Sequence, residues 1–128
     1  MIIIKSQDYS EMSWKAAQII AAQVTAKPDS VLGLATGSTP VGTYQELIRY
    51  HEEDGLSFNK VTTVNLDEYY GLAPSHEQSY RRFMKETLFD HIDILPENTN
   101  IPDGLASDPH RYGEKYDELI VSLGGIDL

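Results

Sequence analysis

Two short runs constrain this chain more than anything else in it. "SVLGLAT" (Ser30–Thr36) and "KVTTVNL" (Lys60–Leu66) are rich in Val, Leu and Thr and do not alternate cleanly between polar and apolar. A strand with one wet face alternates, whereas a strand covered on both faces does not. Between and after these runs come stretches with apolar residues at helical spacing. Strands alternating with amphipathic helices predict an α/β fold with a mainly parallel sheet and helices on both of its faces, a Rossmann-like three-layer sandwich.

The remaining elements follow from spacing and punctuation. Ile2 to Ile4 is an all-apolar run and reads as a first strand. Asp8 is placed to cap a helix, with Glu11 three residues on to complete a capping box. Met12, Ala16, Ile19, Ile20 and Val24 then recur as its inner stripe, and Lys27-Pro28 ends it. Thr39 is a good N-cap and Pro40 a good first residue for the next helix. Its inner stripe is Val41, Tyr44, Leu47 and Ile48, and Asp54-Gly55 is its stop. Ser75 and Gln78 suit a capping box for a third helix carrying Tyr80, Phe83, Met84, Thr87 and Leu88 inward. "LPENTNIPDG" reads as loop. Asp108 before Pro109 opens a fourth helix, with Tyr112, Tyr116, Leu119, Ile120 and Leu123 inward and Gly124 as its stop. A last strand only begins at "IDL". Residues 1–128 are therefore expected to form a single α/β domain, seen in its amino-terminal part.

Bulk composition serves mainly to exclude. Apolar residues make up 41% of the 128, which argues against disorder. The net charge is −10, with only ten lysines and arginines. Nucleic-acid binding needs cations to displace counterions from phosphates, so neither nucleic acid nor an anionic membrane is an expected partner. Cysteine is absent, which removes disulfides, thiolate metal sites and a cysteine nucleophile. No apolar run reaches the length of a membrane span. A cytoplasmic protein is expected, and nothing in the sequence excludes self-association.

The chemistry concentrates in two loops. In open α/β sheets ligands bind beyond the carboxyl ends of the strands. "TGSTP" follows the run ending at Thr36, and "DEYYGL" follows the run ending at Leu66, so both open onto the same edge. Gly37 permits close backbone approach to a ligand, Ser38 and Thr39 supply hydroxyls, and the helix start adds free N–H groups. Together they make a candidate phosphate cradle. The loop lacks the Gly-Lys-Ser/Thr of a nucleotide P-loop and the G-x-G-x-x-G dinucleotide fingerprint. An ordinary strand-to-helix turn would use the same residues.

Asp67 and Glu68 stand side by side at the mouth of a strand. They could be solvated loop, a partial site for a hard cation, or a general base with a supporting neighbour. No further acids stand nearby in sequence to complete a metal site. Successive side chains on a strand point to opposite faces. One acid is thus expected to face the pocket while the other orients its neighbour or ties down the loop. A part-buried carboxylate held rigidly at a strand end suits a general base. Tyr69 and Tyr70 are candidates to wall the site. His51, His76, His91 and His110 show no ligand spacing with one another and read as structural or surface groups. Arg81 and Arg82 read as a solvated helix face.

"LGLATGSTPVGTY", followed by "VTTVNLDEYYGL" and then "HEQSY", resembles the amino-terminal half of the glucosamine-6-phosphate deaminase family over essentially the whole chain. The related 6-phosphogluconolactonases carry a similar loop but typically Asp-Glu-Arg where this chain has Asp67-Glu68-Tyr69. The resemblance implies conversion of glucosamine 6-phosphate to fructose 6-phosphate and ammonia. In it Asp67 shuttles a proton between C2 and C1, Gly37, Ser38 and Thr39 bind phosphate, and no metal, nucleotide or redox cofactor takes part. It also places the family's ring-opening histidine, its partner carboxylates and further phosphate-binding lysine and arginine beyond Leu128. Two alternatives remain: a lactonase using the same loop, and a non-catalytic sugar-phosphate sensor. A sensor of that kind is expected to carry a basic helix-turn-helix segment, and none occurs in these residues.

Overall fold

A computed structural model describes residues 2–128. Its centre is a parallel sheet of three strands in the order β1-β2-β3: β1 Val31–Leu34, β2 Thr62–Asn65 and β3 Thr99–Asn100. Four α-helices flank it: α1 Tyr9–Ala26, α2 Val41–Asp54, α3 Tyr80–Thr87 and α4 Pro109–Ser122. The pairing β1–β2 sets Leu32 opposite Thr63 and Leu34 opposite Asn65. Paired residues in a parallel sheet share a face. Leu32 and Leu34 therefore enter one core with Ala17, Val24, Tyr44, Leu47, Met84 and Leu88 from the helices. Val31 and Val64, buried as well, point the other way. Thr63 and Asn65, on the Leu32 face, and Val31 and Val64, on the other, are all buried, so both faces of the sheet are covered at these positions.

Local chemistry accounts for most boundaries. Asp8 caps α1 by accepting from the Glu11 N–H at 2.8 Å. The Glu11 carboxylate accepts from the Gln7 N–H instead of closing the expected box on Asp8. Gly55, at φ 72°, takes the left-handed conformation that closes α2. Asp108 caps α4 through the Arg111 N–H, with Pro109 as its first residue. Gly124 and Gly125 return N–H groups to Val121 and Ile120 at its end.

Several expectations need correction. Ile2–Ile4 is not a strand: it pairs with nothing among the described residues and stands exposed, at 90%, 72% and 52%. The inner stripe of α1 is Ser13, Ala17 and Val24, so Ile19 faces outward. The small Ser13 lets α1 approach α2 closely at Gly42, where an added Cβ would lie 2.4 Å from Ser13 Oγ. Pro40, not Thr39, occupies the N-cap of α2, without a side-chain bond. Ser79, not Ser75, caps α3. "LPENTNIPDG" contains a 3-10 turn and β3, two residues too few to leave a sequence pattern. Of the expected α4 stripe only Tyr116 is buried. The "IDL" segment is not a regular strand, yet it follows the outer edge of β1. There Asp127 N–H donates to Val31 O at 2.9 Å, and Gly33 N–H donates to Leu128 O at 2.8 Å. Among the described residues no helix is long and apolar enough to cross a membrane.

Candidate active site

Because β1 and β2 run parallel and end in register at Leu34 and Asn65, the loops that follow them leave the sheet at one edge. Asn65 fixes that junction. It is fully buried, its Nδ2 donates to Leu34 O at 2.8 Å, and its own carbonyl accepts from the Tyr116 hydroxyl of α4 at 2.7 Å. Its Oδ1 has no partner among the described residues. Burial pushes the Tyr116 phenol up to about 12. Sequence reading passed over Asn65, although an amide inside "TTVNL" is the signal that a buried polar group is being satisfied across strands.

The first loop carries Gly37, Ser38 and Thr39, all exposed. Gly37 has φ 88°, a conformation that side chains rarely adopt, and the space beside it is open. With Pro40 in the cap position, the Thr39 hydroxyl is not consumed in capping and makes no hydrogen bond among the described residues. The Ser38 carbonyl turns toward α1, where it accepts from the Tyr9 hydroxyl at 2.9 Å.

The second loop separates the adjacent acids. Asp67 is exposed, not part-buried, and engages in no ion pair or hydrogen bond among the described residues. Glu68 turns inward onto the start of α3. It accepts from the Tyr80 N–H at 2.8 Å, the Arg81 N–H at 3.0 Å, the Ser79 hydroxyl at 2.7 Å and its neighbour's Tyr69 N–H at 2.9 Å. Partial burial pushes this carboxyl up, but the Tyr80 amide, the Ser79 hydroxyl and the other amides outweigh it and hold it below its ordinary range. A carboxylate on the free N–H groups of a helix start also meets the positive end of its dipole.

Two tyrosines join the second loop to α3. The Tyr69 and Tyr80 rings lie 4.7 Å apart, and the Tyr80 hydroxyl donates to that of Tyr69 at 3.2 Å. The Tyr80 phenol is held above its usual range, first by this contact, then by burial, with the Asp67 carboxylate adding to the effect and the Thr36 hydroxyl opposing it. Tyr70 is largely exposed.

The second loop rests on Gly104. A Cβ there would fall 2.4 Å from Tyr69 O and 2.8 Å from Leu72 O, and Gly104 O accepts from the Gly71 N–H at 2.7 Å. Between this loop and α4 lies a cleft of about 510 Å³, whose lining includes Leu66, Asp67, Tyr70, Pro102, Tyr112 and Tyr116. Asp67 and Glu68 both border it, while Gly37, Ser38 and Thr39 lie outside its lining, along the same sheet edge.

Arg81, Arg82, His51 and His91 are occupied elsewhere. Arg81 donates to Ile101 O at 3.2 Å, and Arg82 pairs with Glu86 at 2.7 Å. His51 Nδ1 lies 2.7 Å from Leu56 O, and His91 Nε2 lies 2.9 Å from Glu86 O. The described residues contain no group of three or more His, Asp or Glu that could hold a metal ion.

Residues 6–127 match the model of a family described as glucosamine-6-phosphate isomerases/6-phosphogluconolactonase. The chain belongs to this family. It is 56% identical over all 128 residues to a glucosamine-6-phosphate deaminase of Lachnoclostridium phytofermentans, covering 54% of that protein. It is also 56% identical to one of a Geobacillus species, covering 51%. A solved structure of a monomeric glucosamine-6-phosphate deaminase superposes with a TM-score of 0.96 at 47% identity, across 99% of this chain and 53% of the other. A 6-phosphogluconolactonase of Thermotoga maritima, 23% identical with a TM-score of 0.72 over 95% of this chain and 54% of its own, shares the fold. The chain spans about half the length of the curated relatives it matches.

Proposed function

We propose that the protein carrying this chain converts glucosamine 6-phosphate and water to fructose 6-phosphate and ammonia. It would be a cytoplasmic hydrolase of the amino-sugar C–N bond. The observation that carries the reading is the division of the adjacent acids: Glu68 is committed to the start of α3, while Asp67 stands open at the same sheet edge as Gly37, Ser38 and Thr39. The names of the relatives support the same substrate.

In this reading the Gly37–Thr39 loop holds the substrate's phosphate through backbone N–H groups and the Ser38 and Thr39 hydroxyls. Asp67 takes the C2 proton from the ring-opened amino sugar as a general base, leaving an enolamine. It returns the proton to C1, which forms an imine at C2. Water adds to that carbon, and ammonia departs as the ketone forms. Holding the phosphate far from the reacting carbons orients C1 and C2 against the carboxylate, which accounts for several kcal/mol of barrier in well-oriented systems, roughly. A 1,2-proton shift needs neither a metal nor a redox cofactor. The substrate is a small sugar phosphate, and the acidic surface disfavours nucleic acid and anionic membranes as partners.

The test is ammonia release from glucosamine 6-phosphate by the intact gene product and by its Asp67→Asn variant. The variant is expected to lose turnover by about three orders of magnitude or more while binding substrate nearly as well. Wild-type turnover in the variant would reject Asp67 as the base. Hydrolysis of 6-phosphogluconolactone without ammonia release would favour the lactonase reading.

A further inference from the structure

We propose that Tyr9 is a positioning residue for the Gly37–Thr39 loop, fixing from α1 the direction in which the loop presents its N–H groups. Tyr9 is the first residue of α1, and its hydroxyl makes two long-range bonds. It donates to Ser38 O at 2.9 Å and accepts from the Gly42 N–H in the first turn of α2 at 2.8 Å. One phenol thus joins the loop to the helix that follows it.

The geometry has a directional consequence. The peptide unit is planar and trans, so the Ser38 carbonyl and the Thr39 N–H point in opposite directions. Tethering the carbonyl to α1 turns the Thr39 N–H away from α1. The Gly42 N–H, by contrast, is already satisfied by Tyr9, so the grip on an anion falls to the loop amides and hydroxyls and not to that amide of α2. The seat for the phenol is built by close packing. A Cβ on Gly42 would lie 2.9 Å from Tyr9 Cε1 and 2.4 Å from Ser13 Oγ, so only glycine lets both residues approach. Ser13 is buried, and its hydroxyl has no partner among the described residues, so its place here is steric.

This deepens the functional reading above and rests on it, so the experiment separates the two. In the intact gene product, Tyr9→Phe removes the hydroxyl and little else. The expected result is a KM for glucosamine 6-phosphate raised about five- to twentyfold with kcat within about twofold, the effect of loosening one oriented hydrogen-bond network. Inhibition by inorganic phosphate should weaken in parallel. Ser13→Ala removes a neighbouring hydroxyl that bonds to nothing in the loop and should leave KM in place. An unchanged KM in Tyr9→Phe, or a fall in kcat alone, overturns the assignment. If the wild-type protein releases no ammonia, the functional reading fails and amide hydrogen exchange over residues 37–42 decides the tether by itself. Tyr9→Phe should then speed exchange of that segment several-fold, and identical exchange rejects the tether.

Discussion

Removing the Glu68 carboxylate tests whether this acid is architectural. In Glu68→Ala the start of α3 loses an acceptor that serves Tyr80, Arg81, Ser79 and Tyr69 at 2.7 to 3.0 Å. Hydrogen bonds to a charged group contribute about 1.5–3 kcal/mol each, but four bonds to one carboxylate do not add independently. The Ser79 hydroxyl oxygen, 3.2 Å from the Arg81 N–H, remains as a partial cap. A loss of about 2–4 kcal/mol follows, from the top of the range for removal of a single helix cap upward, because this acceptor serves several donors. At roughly 3–5 °C per kcal/mol for a unit of this size, Tm falls by about 6–20 °C. The pH dependence fixes the cause. Hydrogen bonding lowers this carboxyl in the folded protein, so its stabilisation is complete above the ordinary carboxylate value of 4.5 and disappears as pH falls through the lowered one. The gap between wild type and Glu68→Ala should therefore be widest near neutrality and close in acid. Thermal unfolding from pH 7 down to pH 3 would show it, alongside ammonia release well below the melting range. Equal Tm values at pH 7 would refute the capping role. A turnover loss of several orders of magnitude in a folded variant would refute the division of labour and make Glu68 chemical.

Two further outcomes follow from the site. Thr39→Val should raise the KM for glucosamine 6-phosphate with kcat little changed, and an unaltered KM in steady-state assays would count against the cradle. Gly104→Ala places a Cβ against two backbone oxygens that cannot swing aside, at 2.4 and 2.8 Å. It should destabilise by about 2 kcal/mol or more in urea unfolding and displace the 66–72 loop, and wild-type stability would refute the contact.

Local signals carried most of the architecture. β1 and β2 were visible because a strand covered on both faces leaves a run of its own, and α4 because Asp108 and Pro109 make its start chemically explicit. Ile2–Ile4 misled because an apolar run states a preference for burial without supplying a partner. The stripe of α1 slipped because weighting large side chains overlooked the small Ser13, where closeness to Gly42 decides which face turns in. The two loops were legible from strand order and the rule that ligands gather at carboxyl ends. The groups that hold those loops were not. Tyr9 acts across 29 residues, Tyr116 across 51 on Asn65, and Gly104 on a loop more than thirty residues earlier. Each is an ordinary residue until the fold brings its partner near.

The unequal commitments of Asp67 and Glu68 have an evolutionary consequence. On the proposed reading, one neighbour answers to architecture and the other to chemistry, which puts them under different selection despite sharing a loop. Exchange of the exposed acid leaves the scaffold standing and the cradle in place. If Asp67 is the base proposed above, a shape-identical protein that captures the sugar phosphate but no longer transforms it is a single codon away, whereas drift at the next position meets the folding barrier first.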